Sequence, residues 1–145
     1  MIPYHTQLFP DLAKEKKQCI QPVAVIGSSF SADDFTAEKV IDGGYGTRWE
    51  PTDEDKAPAV TFAFDDIIAV GTMEVRMEYP WKKYFMKVET SSDGNTWKHI
   101  VDYTTDGIAG SPVNILANER CKYVRLSFLI PEGGIKPSIW EIAFY

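Results

Sequence analysis

Four stretches of the chain alternate apolar and polar residues with a period of two. Val60, Phe62 and Phe64 are separated by Thr61 and Ala63, and Met73, Val75, Met77 and Tyr79 by Glu74, Arg76 and Glu78. Residues 84–90 repeat the pattern, and Val124, Leu126, Phe128 and Ile130 alternate against Arg125 and Ser127. Successive side chains of a strand point to opposite faces, so this period describes strands with one face buried and one wet. Turn chemistry separates them. Ser92-Asp93-Gly94-Asn95 is a hairpin signal, and Asp106-Gly107 and Gly133-Gly134 mark longer loops. Inside this region only residues 33–41 read as helical, for a turn or two. Many short strands with almost no helix predict an all-β fold, an antiparallel β-sandwich.

Residues 1–22 read as a lead-in punctuated by Pro3, Pro10 and Pro22, with one helical turn near residues 11–17, and residues 23–145 as one module. The chain of 145 residues is large enough for a real core. A net charge of −6 with no basic stripe excludes a nucleic-acid binder and disfavours anionic membranes. Lys14, Glu15, Lys16 and Lys17 read as a solvated helical face, and Asp53, Glu54 and Asp55 as a solvated loop. No stretch is long and apolar enough to span a bilayer, and residues 1–10 are too polar for a signal peptide. Cys19 and Cys121 leave two alternatives, one bridge tying an early strand to a late one or two buried thiols.

A catalytic constellation is not visible. Of the two histidines, His5 lies in the lead-in and His99 on a strand, and no serine or cysteine sits in a nucleophile motif such as G-x-S-x-G. A glycosidase also needs a deeper cleft than a small sandwich supplies. The residues therefore point to a protein that binds and does not catalyse.

Ordered motifs now identify a relative. Ser28-Ser29, Val40-Ile41-Asp42-Gly43 and Thr47-Arg48-Trp49 resemble the opening signature of discoidin domains, also called coagulation factor five/eight type C domains. Ser91-Ser92-Asp93-Gly94-Asn95-Thr96-Trp97 resembles their central hairpin, Arg120 to Leu126 their late strand, and Ser138-Ile139-Trp140-Glu141-Ile142 the closing one. The set is most similar to bacterial carbohydrate-binding module family 32. The resemblance implies a jelly-roll, galactose-binding-domain-like sandwich and a glycan as partner. It also implies an extracellular or periplasmic home, as an accessory domain of a longer, multidomain glycoside hydrolase or related glycan-active protein. A discoidin-type protein-binding domain is the alternative, with a small glycan-active enzyme behind it. The arginine and asparagine that galactose-specific members carry between positions like Tyr79 and Tyr84 are absent. In the family Trp49 and Trp97 are core residues.

Two sites follow. Asp42, Gly43, Gly44, Gly46 and Thr47 gather a carboxylate, flexible backbone and a hydroxyl within six residues, and calcium takes six to eight oxygens, many of them carbonyls. Spacing alone reads equally well as a turn with Glu141 on the surface. The resemblance implies a structural calcium (Ca2+) held by the Asp42 and Glu141 carboxylates, Thr47, and the carbonyls of Lys39, Gly44 and Trp140. For the sugar, an aromatic face meets the C–H side of the ring while polar groups bind hydroxyls. Residues 78–83 supply these together on a loop: Trp81 as platform, Glu78 and Lys82 for hydroxyls, Tyr79 for either task. Glu50 and Tyr45 approach from neighbouring loops. The plainer reading is that Trp81 caps the core. Few apolar tips exist for membrane insertion, Ile108 and Ile135 being the candidates.

Overall fold

The structure, a computed structural model, describes residues 19–44, 46–110 and 112–145. Six strands run through it: β1 (Ala24–Gly27), β2 (Ala59–Met77), β3 (Phe85–Ser91), β4 (Lys98–Asp102), β5 (Val113–Leu129) and β6 (Ile139–Phe144). Every pairing among them is antiparallel. The segment at residues 33–41 forms two 3-10 turns, Asp33–Phe35 and Ala37–Ile41. The expectations for residues 1–18 (the helical turn, His5 and the lysine face) and for Tyr45 lie outside the described residues.

β2 and β5 are long, 19 and 17 residues, because each serves both layers of the sandwich. The first part of β2, residues 59–63, lies between β1 and the end of β5, which also pairs with β3, and β3 pairs with β4. The second part, residues 68–77, lies between β6 and the beginning of β5. The register breaks between the pairs Ala63↔Tyr123 and Ile68↔Cys121. Such irregularities bend and twist a strand pair, and here the bend carries both chains from one layer to the other. The alternation shifts with it. Buried positions in β2 are Val60, Phe62 and Phe64 before the break and Met73, Val75 and Met77 after it. In β5 they pass from Val113, Ile115 and Cys121 to Val124, Leu126 and Phe128.

The core lies between the layers. Phe62 and Phe64 of one layer set their edges against Phe144 of the other, with ring centroids 5.0 and 5.2 Å apart. Trp49 is wholly buried, 6.3 Å from the Phe128 ring, and its indole N–H donates to the Ser29 carbonyl. Removing a buried aromatic of this size costs about 3–5 kcal/mol. The β3–β4 hairpin turns where expected. Gly94 has φ 81°, and Asp93 accepts from the Asn95 and Thr96 N–H groups.

Four expectations need correction or resolution. Trp97 is not core. It rests on Tyr123 and Arg125, whose side chains point away from the buried Val124 and Leu126, and the Arg125 guanidinium covers its ring at 3.9 Å. The acidic loop is not simply solvated: the Ser28 and Ser29 hydroxyls donate to Asp55, and the Lys136 ammonium donates to Asp53 at 2.6 Å. Burial alone would raise the Asp55 pKa, but those hydroxyls and the Ala57 N–H outweigh it and hold the carboxyl below its ordinary range. Ile108 and Ile135 are not tips, for both pack against the core. Cys19 and Cys121 are free thiols, Cys121 buried in the core and Cys19 half-buried at the edge. The chain joins the sandwich at Ile20, whose N–H donates to the Phe144 carbonyl at 2.7 Å.

Candidate functional site

The turn Ala37–Ile41 ends in a loop that is folded around one carboxylate. Asp42 accepts from the Gly44 N–H at 2.9 Å and from the Thr47 hydroxyl. Gly43 takes φ 79°, a conformation side-chain-bearing residues rarely adopt. Its N–H reaches Glu141, which β6 brings to the loop from the far end of the sequence. Oε2 of Glu141 is buried and has no hydrogen-bond partner. Burial pushes the Glu141 carboxyl up to about 7. The Gly43 N–H opposes that rise, the Asp42 charge adds to it, and Arg76 opposes it again. Two acids thus face each other with one oxygen unsatisfied, in a loop rich in carbonyls. Lys39, Thr47 and Trp140 line a cavity of about 310 Å³ beside it. The structure therefore gathers Asp42, Gly44, Thr47 and Glu141, with Lys39 and Trp140 alongside. Among the described residues no cluster of three or more His, Cys, Asp and Glu occurs, so any cation here would rely on neutral oxygens for the rest of its shell.

The aromatic loop begins where β2 ends. Lys82 N–H donates to the Tyr79 carbonyl, and Gly110 N–H to the Pro80 carbonyl, which pins the loop to residues 107–110. Below it the buried Tyr84 hydroxyl accepts from the Tyr79 N–H at 3.1 Å. Trp81 projects from this support and is 73% exposed, so it does not cap the core. Its ring meets that of Tyr79 edge-on at 5.7 Å, and the Lys82 ammonium lies 4.7 Å over the Tyr79 ring.

Glu78 and Glu50 occupy a different environment from the rings. Arg48 binds both: its Nε lies 3.3 Å from Glu78 and its terminal nitrogen 3.1 Å from Glu50. The same Nε donates to the Ser138 hydroxyl at 2.7 Å, and the guanidinium sits over the Phe35 and Trp140 rings at 4.5 and 5.5 Å. Glu50 also accepts from the Ser31 hydroxyl and faces Lys136 at 3.5 Å, while Lys136 holds Asp53. Sequence reasoning assigned no role to Arg48, Lys136 or Ser138. Arg48 stood inside the Thr-Arg-Trp signature, one residue from Trp49 and two from Glu50, and that spacing was the available signal.

The geometry is that of one known family. Residues 24–142 match the model of the F5/8 type C domain. The chain belongs to that family. A search among curated proteins finds no match. Among solved structures, a glycoside hydrolase superposes with TM-score 0.78 at 23% identity, over 88% of this chain. The match spans only 32% of the hydrolase, so this chain corresponds to about a third of it. Chitosan-binding module 1 from a chitosanase/glucanase of Paenibacillus sp. IK-5 matches at TM-score 0.74 and 19% identity, over 87% of this chain and 96% of the module. A family 32 carbohydrate-binding module of AlyQ, in complex with 4,5-unsaturated mannuronic acid, matches at TM-score 0.74 and 18% identity, over 88% of this chain and 98% of that one. The discoidin-type jelly roll expected from the motifs is therefore the fold.

Proposed function

We propose that this discoidin-type domain is a non-catalytic carbohydrate-binding module that holds its ligand on the residue 78–83 loop. The observation that carries the reading is Trp81, a large apolar ring standing 73% exposed on a loop braced from beneath by backbone hydrogen bonds. A solvent-facing indole on a rigid support is what a pyranose ring stacks on. Tyr79 and Lys82 flank it, and Glu78 and Glu50, held by Arg48, form the polar floor. A screen of the purified protein against a glycan array, with Trp81→Ala beside it, tests this. Saturable binding lost in the variant is expected; silence of the folded protein, or binding indifferent to Trp81, removes the site.

The second part of the reading is a structural calcium. The support is the unpartnered Glu141 Oε2, a buried acceptor that a cation would satisfy. Asp42, Glu141 and Thr47 would hold the ion with the carbonyls of Lys39, Gly44 and Trp140. It would supply charge neutralisation and tie β6 to the loop. Attachment to a secreted glycan-active enzyme follows as a proposal from the hydrolase of which this chain matches about a third. Such a module would keep its enzyme on the polysaccharide and raise the effective substrate concentration.

A protein-binding reading draws on Val23, Ile26 and Phe30, exposed on and just beyond the edge strand β1. A pull-down on a variant with all three made polar, next to Trp81→Ala, separates the two surfaces.

A further inference from the structure

We propose that the Trp81 site selects anionic sugars, those bearing a carboxylate or sulfate, over neutral ones and rejects amino sugars. The inference rests on the glycan reading above and adds the charge of the ligand. It comes from asking which charges around the platform are already engaged.

Every acid that the structure ties into the platform's polar floor is paired. Glu78 faces Arg48 at 3.3 Å. Glu50 faces Arg48 at 3.1 Å and Lys136 at 3.5 Å, and accepts from Ser31 as well. Asp53 is held by Lys136 at 2.6 Å. A neutral sugar wants acceptors for its hydroxyl protons, and an amino sugar wants a free carboxylate. Both find these acids occupied, and Glu50 and Glu78 half-withdrawn from solvent besides.

The loop's cations are in the opposite condition. None of the ion pairs among the described residues involves Lys82 or Lys83, and both side chains are exposed. Asp106 stands on the adjoining turn, next to Gly107, which lies against Lys83. It offsets that residue, so the argument rests on Lys82. The Lys82 ammonium is positioned 4.7 Å over the Tyr79 ring, whose edge contact with Trp81 places it at the rim of the platform. An ammonium donates and never accepts. The partner that completes it is an anionic acceptor projecting from a ring stacked on Trp81. An ammonium-bearing sugar in the same place meets like charge.

The test is an array containing neutral, amino, uronate and sulfated oligosaccharides. Each bound acidic glycan is then titrated beside its carboxyl-reduced or desulfated counterpart. Hits concentrated among acidic sugars are expected, with the neutral counterpart weaker and the affinity falling as salt rises to about 0.5 M. At an exposed ion pair Lys82→Ala should lower acidic-sugar affinity by about three- to fivefold and leave the neutral counterpart unchanged. Lys82→Glu should lower it by about tenfold, and Trp81→Ala should abolish both. Hits confined to neutral or amino sugars, or equal affinity for acidic and reduced forms, overturn the charge selection while leaving the glycan site standing. Silence of the folded protein across the whole array overturns both. Uronate hits without sulfated ones, or the reverse, identify which anion Lys82 serves.

Discussion

Two pairs of acids sit on neighbouring loops and meet opposite fates. Glu50 and Glu78 are half-buried, and each has a cation: Arg48 lies between them, Lys136 and Ser31 complete Glu50, and aromatic rings cover the guanidinium. Asp42 and Glu141 are drawn together by a glycine loop and one strand. The hydrogen bonds they accept come from neutral N–H and hydroxyl groups, and one oxygen of Glu141 has nothing. The first pair is complete within the protein; the second is complete only with something added. A half-buried acid by itself says little about ligands. Whether its partner belongs to the chain is what separates scaffold from site.

The comparison can be broken first at Arg48. Arg48→Met keeps much of the apolar packing but leaves Glu50 and Glu78 half-buried with their shared cation gone. A loss of about 2–3 kcal/mol is expected, the lower end of what breaking a buried pair costs, read as a fall in Tm of about 6–9 °C. A shift of under about 1 °C would mean the network is ornamental.

Calcium is the next largest effect. At a hundred times its Kd a ligand of the folded state adds about 2.7 kcal/mol, so adding calcium to chelator-treated protein should raise Tm by about 8 °C. An unmoved transition, with no metal by elemental analysis, removes the site.

Glu141→Gln sharpens the contrast further. The fold raises this carboxyl from an ordinary 4.5 to about 7. The metal-free protein therefore favours the protonated form. That contribution is whole below about pH 4.5 and is lost as pH rises through about 7. In chelator at pH 8 the glutamine variant should exceed the wild type by about 1 kcal/mol, a figure discounted for partial exposure. The gap should fade towards acid pH, and calcium should no longer stabilise the variant. A variant less stable than wild type in chelator at pH 8 would show that Glu141 is not the strained member. The smallest effect belongs to Trp81→Ala, within about 0.5 kcal/mol of wild type although it ends glycan binding. A large thermal loss would return Trp81 to the scaffold.

What the residues told in advance depended on how local the information was. The strand alternation, the Asp93-Gly94 hairpin and the short turns at residues 33–41 are set by neighbours in the chain, and all appear. So does the gathering of Asp42, Gly44 and Thr47, five residues apart. Glu141 was placed beside them only through the ordered motifs, since no periodicity links it to residue 42. Trp97 shows the limit. Alternation says that one face of a strand is buried, and Trp97 precedes β4, where no pattern told which way its ring would turn. The pairing of Glu78 with Arg48 was hidden for the same reason: 30 residues separate them, and only the closure of the sandwich brings the β2 end to the Thr47-Arg48-Trp49 segment.

The passage of β2 and β5 from one layer to the other has a consequence for how the protein comes apart. Two sheets built from separate strands can open like the covers of a book, each keeping its own hydrogen bonds. Here the same two chains form the spine of both covers, so neither can loosen without unzipping the other. Melting should be a single event with the slowest amide exchange running along both strands across the bend. β1, attached along one side only, should be the first page to lift.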